Sequence, residues 1–211
     1  NPLQYPISTP GPMARNPMDV AFLLEIMATK EKFDANDVKE SPSVDGMRIA
    51  WLGDWGGAYP MEDGILELCR GALDTFSEIG VTVDDLEAIF DDKDLWRSWT
   101  TIRSKVISGN FPIPKPLLRV FLFFAPIRDE LKWEVRRSID ISKDECTQAG
   151  EIANEWSQCL TDLFQKYDAL ALPTAQTWAF PADWRWPQEI ARRKMDPYHR
   201  WMECTLPGSL G

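Results

Sequence analysis

Apolar residues recur at three- and four-residue steps in four stretches of the chain, the spacing that places side chains on one face of an α-helix. In the last stretch, Ser142 and Glu145 form a capping box at the start of the apolar stripe. In the first, Pro17 fits the first helical position, where a missing N–H costs nothing. The pattern predicts helices over residues 17–29, 61–79, 92–108 and 142–167.

Three shorter apolar runs, residues 47–52, 81–83 and 168–173, have the length and composition of buried strands. The first two flank a predicted helix within about 35 residues, and this strand–helix–strand order is typical of parallel strands. We therefore predict an α/β fold.

The remaining segments are rich in proline or polar residues, which favours loops. Residues 30–45 are polar and contain Ser41-Pro42-Ser43, so we expect a surface loop there. Residues 111–116 form a proline break, and residues 174–190 an aromatic loop interrupted by proline. We expect one partial domain over 1–211.

Composition limits the classes of partner that we expect for the chain. The chain has 211 residues and a net charge of −10, which argues against nucleic acid, because phosphate contacts need clustered basic side chains. No apolar run approaches the roughly 20 residues that span a bilayer, so no membrane partner is expected. Four cysteines without a C-x-x-C pair indicate reduced thiols and a cytoplasmic location.

The residues that carry chemistry are few. His199 is the only histidine, and a packing or hydrogen-bonding role is a more ordinary reading than catalysis. The Gly53-x-x-Gly56-Gly57 pattern fits no nucleotide-binding loop and more simply bends the chain after a strand. Adjacent acidic pairs such as Asp84-Asp85 suit helix starts better than metal ligation. We therefore predict no catalytic residue, no metal site and no cofactor.

Three ordered stretches resemble the second half of the amidase signature family. The segment Ser8-Thr9-Pro10-Gly11-Pro12-Met13-Ala14-Arg15 is similar to the turn that follows the family's catalytic core. Gly46-Met47-Arg48-Ile49-Ala50-Trp51 resembles its next strand. Tyr167-Asp168-Ala169-Leu170-Ala171-Leu172-Pro173-Thr174 resembles its late buried strand, and Pro207 to Gly211 resembles the start of a later glycine-containing segment.

The resemblance implies a three-layer α/β/α fold with a mixed, mostly parallel sheet. It also implies a serine hydrolase that cleaves carboxylic-acid amides through an acyl-serine intermediate. The family's nucleophile, second serine and lysine all precede the turn at residues 8–15, and Lys30, Lys105 and Lys166 are not in matching positions. We therefore expect a fragment that is inactive alone and that pairs with a missing N-terminal half or with itself.

Within the resemblance, this half supplies a pocket wall for a small-molecule amide. The segment from residue 174 to 180 is expected near a substrate subsite, with two aromatic residues three positions apart on a later helix. The aromatic segment could equally bury its own rings. The candidate substrate-binding residues are Thr174, Trp178, Phe180, Tyr198 and Trp201.

Two other readings stay open. One is a non-catalytic binding or scaffold protein produced from a truncated gene. The other is the amidase subunit of a tRNA-dependent amidotransferase, which the aromatic region 178–201 fits less well.

Overall fold

The structure is a computed structural model that describes residues 7, 11–28, 34–36, 43–111 and 113–211. The chain divides into two compact units, Ser8–Asp45 and a larger unit made of Asn1–Ile7 with Gly46–Gly211. Residues 8–10, and residues 30–33 and 37–42 of the predicted surface loop, lie outside the described part. The single domain over 1–211 stays a prediction.

The smaller unit is organised around helix α1, Pro17–Met27. Asn16 caps it by accepting from the N–H of Asp19 at 3.0 Å, and Pro17 occupies the first turn as predicted. Ala35 is buried, and its N–H donates to the Glu25 carboxylate at 3.1 Å. This part of the predicted surface loop therefore lies against α1.

The larger unit contains both helices and strands, and its long helix begins at the predicted capping box of Ser142 and Glu145. Its described elements, in chain order, are β1 (Arg48–Trp51), α2 (Ile65–Ser77), β2 (Thr82–Asp85), α3 (Asp92–Ser108), α4 (Lys115–Phe124), α5 (Asp129–Asp140), α6 (Lys143–Leu163), β3 (Ala169–Ala171), β4 (Glu189–Ile190), β5 (Arg193–Lys194), a 3₁₀ segment (Tyr198–Thr205) and α7 (Leu206–Leu210).

Strands β2, β1 and β3 form a parallel sheet with β1 in the centre. Ile49 of β1 lies opposite Val83 on one side and Ala169 on the other. The three predicted strands therefore pair in one sheet, and the α/β prediction is confirmed. Strands β4 and β5 form a separate antiparallel ribbon.

Helices α4 and α5 were not predicted. Lys115 to Phe124 is apolar at most positions, so it lacks the alternation with polar residues that reveals a helix. The proline-rich break before it does exist, and Pro116 lies in the first turn of α4. Leu118 and Leu122 of α4 pack with Val135 and Ile139 of α5 in a small apolar cluster.

The main core lies between the sheet and helices α3 and α6. Trp55 is nearly inaccessible, its indole N–H donates to the carbonyl of Phe90 at 2.9 Å, and its ring meets Trp156 edge-on at 5.7 Å. Gly53 and Gly56 have left-handed φ angles of 53° and 66°, which bend the chain at the end of β1 and turn Trp55 inward. Trp55 itself has a φ of 62°, an uncommon conformation for a large residue.

Candidate functional site

Loops that follow β1 and β3 meet at the carboxyl edge of the sheet, where ligands bind in open α/β sheets. Gln176, which is fully buried, joins them to the 3₁₀ segment. Its amide nitrogen donates to the carbonyl of Pro60 at 3.2 Å, and its amide oxygen accepts from the N–H of Cys204 at 3.1 Å. One side chain therefore fixes three segments that are distant in sequence.

Trp178 is held at the start of α2. Its backbone N–H donates to the Glu62 carboxylate at 2.8 Å, and its indole N–H donates to the carbonyl of Asp63 at 3.1 Å. The ring lies over Gly64, where an added Cβ would lie 3.6 Å from it. Trp178 remains about half exposed, so it covers the helix start without entering the core.

Four aromatic side chains form a continuous surface that we call the aromatic wall. The ring centres of Trp201 and Phe180 lie 5.7 Å apart in an edge-on contact. The ring centre of Tyr198 lies 6.2 Å from that of Trp201 and 5.4 Å from that of Trp186. Edge-to-face contacts of this kind hold rings in fixed orientations. The aromatic wall consists of Phe180, Trp186, Tyr198 and Trp201.

The structure brings together three of the five predicted substrate-binding residues. Phe180, Tyr198 and Trp201 share the aromatic wall. Trp178 lies apart at the start of α2, and Thr174 is exposed on the loop after β3. Their role in substrate binding stays a prediction.

His199 lies behind the aromatic wall and is 3% exposed. Its Nε2 donates to the Glu134 carboxylate at 2.7 Å, and the same oxygen accepts from Nε of Arg103 at 2.5 Å. The rings of Trp99, Trp133 and Tyr198 lie between 5.1 and 5.6 Å from the imidazole. Nδ1 of His199 is buried and has no hydrogen-bond partner among the described residues.

The surroundings of Glu134 control its ionisation. Burial acts to raise the pKa of this carboxyl, but the hydrogen bonds from His199 and Arg103, with the charge of Arg103, hold it below its ordinary value. Glu134 is therefore an anion that fixes the imidazole from one side. Sequence reasoning missed it, because α5 was not predicted and no local pattern links residues 103, 134 and 199.

An open groove of about 1100 Å³ runs past this arrangement. Polar side chains from α3, α5, the loop before β4 and the 3₁₀ segment face it, and apolar side chains complete its lining. The polar lining residues are Arg103, Asn110, Arg128, Asp129, Glu130, Glu134, Arg185, Tyr198 and His199, and the apolar ones include Ile107, Phe111, Ile127 and Leu131. Most of the lining residues are polar and several are charged, so the groove differs from the mainly apolar form that is usual for small-molecule sites.

A second buried carboxylate, Glu203, lies on the same 3₁₀ segment. Burial raises its pKa, although a hydrogen bond and the charge of Arg200 act in the other direction. The Arg200 guanidinium stacks on Trp96 at 3.6 Å from the ring centre. Burial likewise raises the pKa of the neighbouring Cys204 thiol to about 12, which disfavours its thiolate form at neutral pH.

Two buried serines and one half-buried lysine of the helices bond to backbone carbonyls. Hydroxyl groups of Ser98 and Ser138 donate to the carbonyls of Ala149 and Val135, each at 2.6 Å. Nζ of Lys105 donates to the carbonyl of Ile141 at 3.2 Å, at the end of α5. Across the described residues, no group of three or more His, Cys, Asp or Glu side chains could hold a metal ion.

All four cysteines are free thiols. Among the described residues, no helix combines the length and the apolar character required to cross a membrane.

Comparison by sequence found no matching family model and no matching curated protein. Comparison by structure found similar folds. A bacterial aryl acylamidase of the amidase signature enzymes has a TM-score of 0.76 and 19% identity, over 99% of this chain and 46% of that one. An amidase has a TM-score of 0.69 and 16% identity, over 95% of this chain and 42% of that one.

One subunit of the glutamyl-tRNA(Gln) amidotransferase from Thermotoga maritima is also similar, with a TM-score of 0.58 and 18% identity. The similarity covers 95% of this chain and 43% of that subunit. The chain thus spans less than half the length of these structures. The predicted resemblance is confirmed at the level of the fold: this chain folds like part of an amidase signature enzyme, with a match that covers 99% of its length.

Proposed function

We propose that the chain is the pocket-bearing part of an amidase that hydrolyses carboxylic-acid amides through an acyl-serine intermediate. The observation that carries this proposal is the fold shared with the bacterial aryl acylamidase over 99% of this chain. The nucleophile, the second serine and the lysine belong to a part of the complete protein that this sequence does not contain.

The environment of two buried serines and of Lys105 supports that division of roles. Acyl transfer needs a hydroxyl beside a base, with room for a substrate carbonyl. Ser98 and Ser138 instead donate to backbone carbonyls inside the helical packing, and Lys105 caps the end of α5. We therefore propose that residues 1–211 alone are inactive.

The aromatic wall supports a substrate class. Rings held edge-to-face present flat apolar surfaces, which favour aryl or long acyl groups over small polar amides. Thr174 and Trp178, on the adjoining loop after β3, would border the same substrate. A small-molecule amide is therefore the proposed ligand, and no cofactor enters the proposal.

The proposed partner is the remaining part of the complete protein, or another copy of the chain. Apolar side chains such as Phe76 and Ile79 are exposed on and after α2, and large exposed apolar surfaces mark interaction sites. The four free thiols are in keeping with a cytoplasmic location.

The second candidate is the amidase component of a tRNA-dependent amidotransferase. The similarity to the glutamyl-tRNA(Gln) amidotransferase structure favours it, but the TM-score of 0.58 is below the 0.76 of the aryl acylamidase. Release of ammonia from glutamine by the complete protein, without anilide hydrolysis, would support this second candidate.

The substrate class can be tested with Phe180→Ala in the complete protein. Loss of a wall ring should lower kcat/KM for an anilide about 10-fold or more, while a small aliphatic amide should change less than about threefold. Trp184→Ala is the matched control, because Trp184 is about half exposed and lies outside the wall. Equal losses for both substrates, or an equal loss in the control, would contradict the wall's role.

A further inference from the structure

The aromatic wall is assembled from stretches that are distant in sequence. Phe180 lies on the loop after β3, whereas Tyr198 and Trp201 lie on the 3₁₀ segment. The edge-on contact between the rings of Phe180 and Trp201, with centres 5.7 Å apart, joins the two stretches. The shape of the wall therefore depends on what holds the loop against the 3₁₀ segment.

Gln176 supplies a hydrogen bond across this junction. It lies four residues before Phe180, and its amide oxygen accepts from the N–H of Cys204, three residues after Trp201, at 3.1 Å. Its amide nitrogen donates to the carbonyl of Pro60 at 3.2 Å, so both ends of the amide group are engaged. The side chain therefore ties the Phe180 side of the wall to the Trp201 side.

The bond to Cys204 lies beside a kink in the 3₁₀ segment. Met202 has φ and ψ angles of −125° and 17°, which are not helical. Sharp kinks arise where a side chain enters the backbone hydrogen-bond pattern of a helix, and the Gln176 oxygen reaches the backbone two residues beyond Met202. Gln176 therefore acts where the segment that carries Trp201 changes direction.

Two other hydrogen bonds of the same loop lead away from the 3₁₀ segment. The backbone N–H of Trp178 donates to the Glu62 carboxylate, and its indole N–H donates to the carbonyl of Asp63. Both bonds end at the start of α2, and Trp178 is about half exposed. Gln176 is 0% exposed, and a hydrogen bond that water does not reach is electrostatically stronger than an exposed one.

From these contacts we infer that Gln176 is a positioning residue that sets the substrate preference of the proposed site. Because it is fully buried, it acts through the wall and not by touching a substrate. It keeps the rings of Phe180 and Trp201 in contact, so that they present one continuous apolar surface to an aryl or long acyl group. Its link to a substrate rests on the proposed amidase function, whereas its effect on the ring contact does not.

Gln176→Met tests the ring contact directly. Methionine has a similar length but neither the donor for Pro60 nor a strong acceptor for Cys204. Nuclear Overhauser effects between the ring protons of Phe180 and Trp201 should be observed in the unmodified 211-residue chain. They should weaken at least about threefold in Gln176→Met, since the rings lose their fixed orientation. Unchanged effects would overturn the inference.

Ser98→Ala is the matched control. Ser98 is also 0% exposed, and its hydroxyl joins α3 to α6 by donating to the carbonyl of Ala149 at 2.6 Å. The substitution therefore removes a buried hydrogen bond that belongs to the helical packing. It should leave the contact between the rings of Phe180 and Trp201 unchanged. An equal loss of the contact in this control would show that any buried hydrogen bond has the same effect, contrary to the inference.

The complete protein tests the effect on the substrate. In Gln176→Met, KM for an anilide should rise about tenfold while kcat changes less than about twofold, because the wall binds the substrate without taking part in the chemistry. KM for a small aliphatic amide should change less than about threefold, and Ser98→Ala should change either KM less than about twofold. Equal increases for the two amides in Gln176→Met would contradict a role in substrate preference.

A double-mutant cycle with Phe180→Ala shows whether Gln176 acts through the ring. Once the ring is absent, Gln176→Met should raise KM for the anilide by less than about a further twofold. A full further tenfold increase would show an effect that is independent of the wall. That result would overturn the inference.

Gln176→Glu provides a second variant should the methionine variant not fold. Burial favours the neutral carboxyl, which can still donate to Pro60 and accept from Cys204. We therefore expect this variant to keep the ring contact, and loss of the contact in the folded variant would count against the inference. If the complete unmodified protein hydrolyses neither amide, the proposed function fails, and the ring contact in the chain still decides the role of Gln176.

Discussion

Glu134 and Glu203 are both 3% exposed and both pair with an arginine, yet their pKa values move in opposite directions. Glu134 accepts from Arg103 and from His199, and the two donors outweigh the cost of burial. Glu203 accepts from Arg200, three residues earlier in the chain, and burial prevails. The second donor, which Glu203 lacks, acts to lower the pKa of Glu134.

The largest effect is expected for Glu134→Gln. The amide keeps the shape, and its one oxygen can still accept from Arg103 and His199, but the negative charge that faces the Arg103 guanidinium is lost. We expect the free energy of unfolding at pH 7 to fall by about 2–4 kcal/mol. Urea denaturation followed by circular dichroism measures this loss.

Glu203→Gln is the matched control, since it removes a carboxylate whose charge is already disfavoured by burial. Its effect at pH 7 should lie within about 1 kcal/mol of zero. A loss as large as that of Glu134→Gln would show that the two carboxylates are equivalent, contrary to the comparison.

The stability that each of the two carboxylates contributes depends on pH in opposite directions. The lowered pKa of Glu134 means that its contribution to stability is present above its unfolded value of about 4.5 and is lost as the pH falls through its folded value. The raised pKa of Glu203 gives the reverse, a contribution present below about 4.5 and lost as the pH rises through its folded value. Glu203→Gln should therefore flatten the stability profile above pH 4.5.

A smaller effect is expected for His199→Phe, which keeps an aromatic ring among Trp99, Trp133 and Tyr198. Glu134 would retain one donor and become like Glu203, so its pKa should rise and the acid unfolding transition should move to higher pH. The loss of stability at pH 7 should be about 1–3 kcal/mol.

Carboxyl chemical shifts of Glu134, followed by NMR across the pH range, measure the change in pKa. His199→Gln is the control, because its amide can still donate toward Glu134 and should restore part of the difference. An unchanged Glu134 pKa in His199→Phe would show that Arg103 alone fixes the charge.

Sequence reasoning succeeded where the signal was local. The capping box of Ser142 and Glu145 fixed the start of α6, and the glycines after β1 marked the end of that strand. The three apolar runs became the three strands of one parallel sheet. In each case neighbouring residues carry the information, through periodicity or backbone preference.

Prediction failed where the determinants are distant in sequence. Helix α4 shows no polar alternation, since apolar side chains lie on both its packed and its exposed sides. Gln176 bridges residues 60 and 204, and Glu134 joins residues 103 and 199. Nothing in the local sequence distinguishes either side chain from an exposed polar residue.

The central claim, that this chain holds a pocket but not the catalytic groups of an amidase, is tested most directly by anilide hydrolysis. Aniline release by the purified 211-residue chain should not exceed that of buffer. The complete product of the same gene should hydrolyse the anilide. Turnover by the chain alone that persists through repurification would contradict the account, because a nucleophile would then lie within residues 1–211.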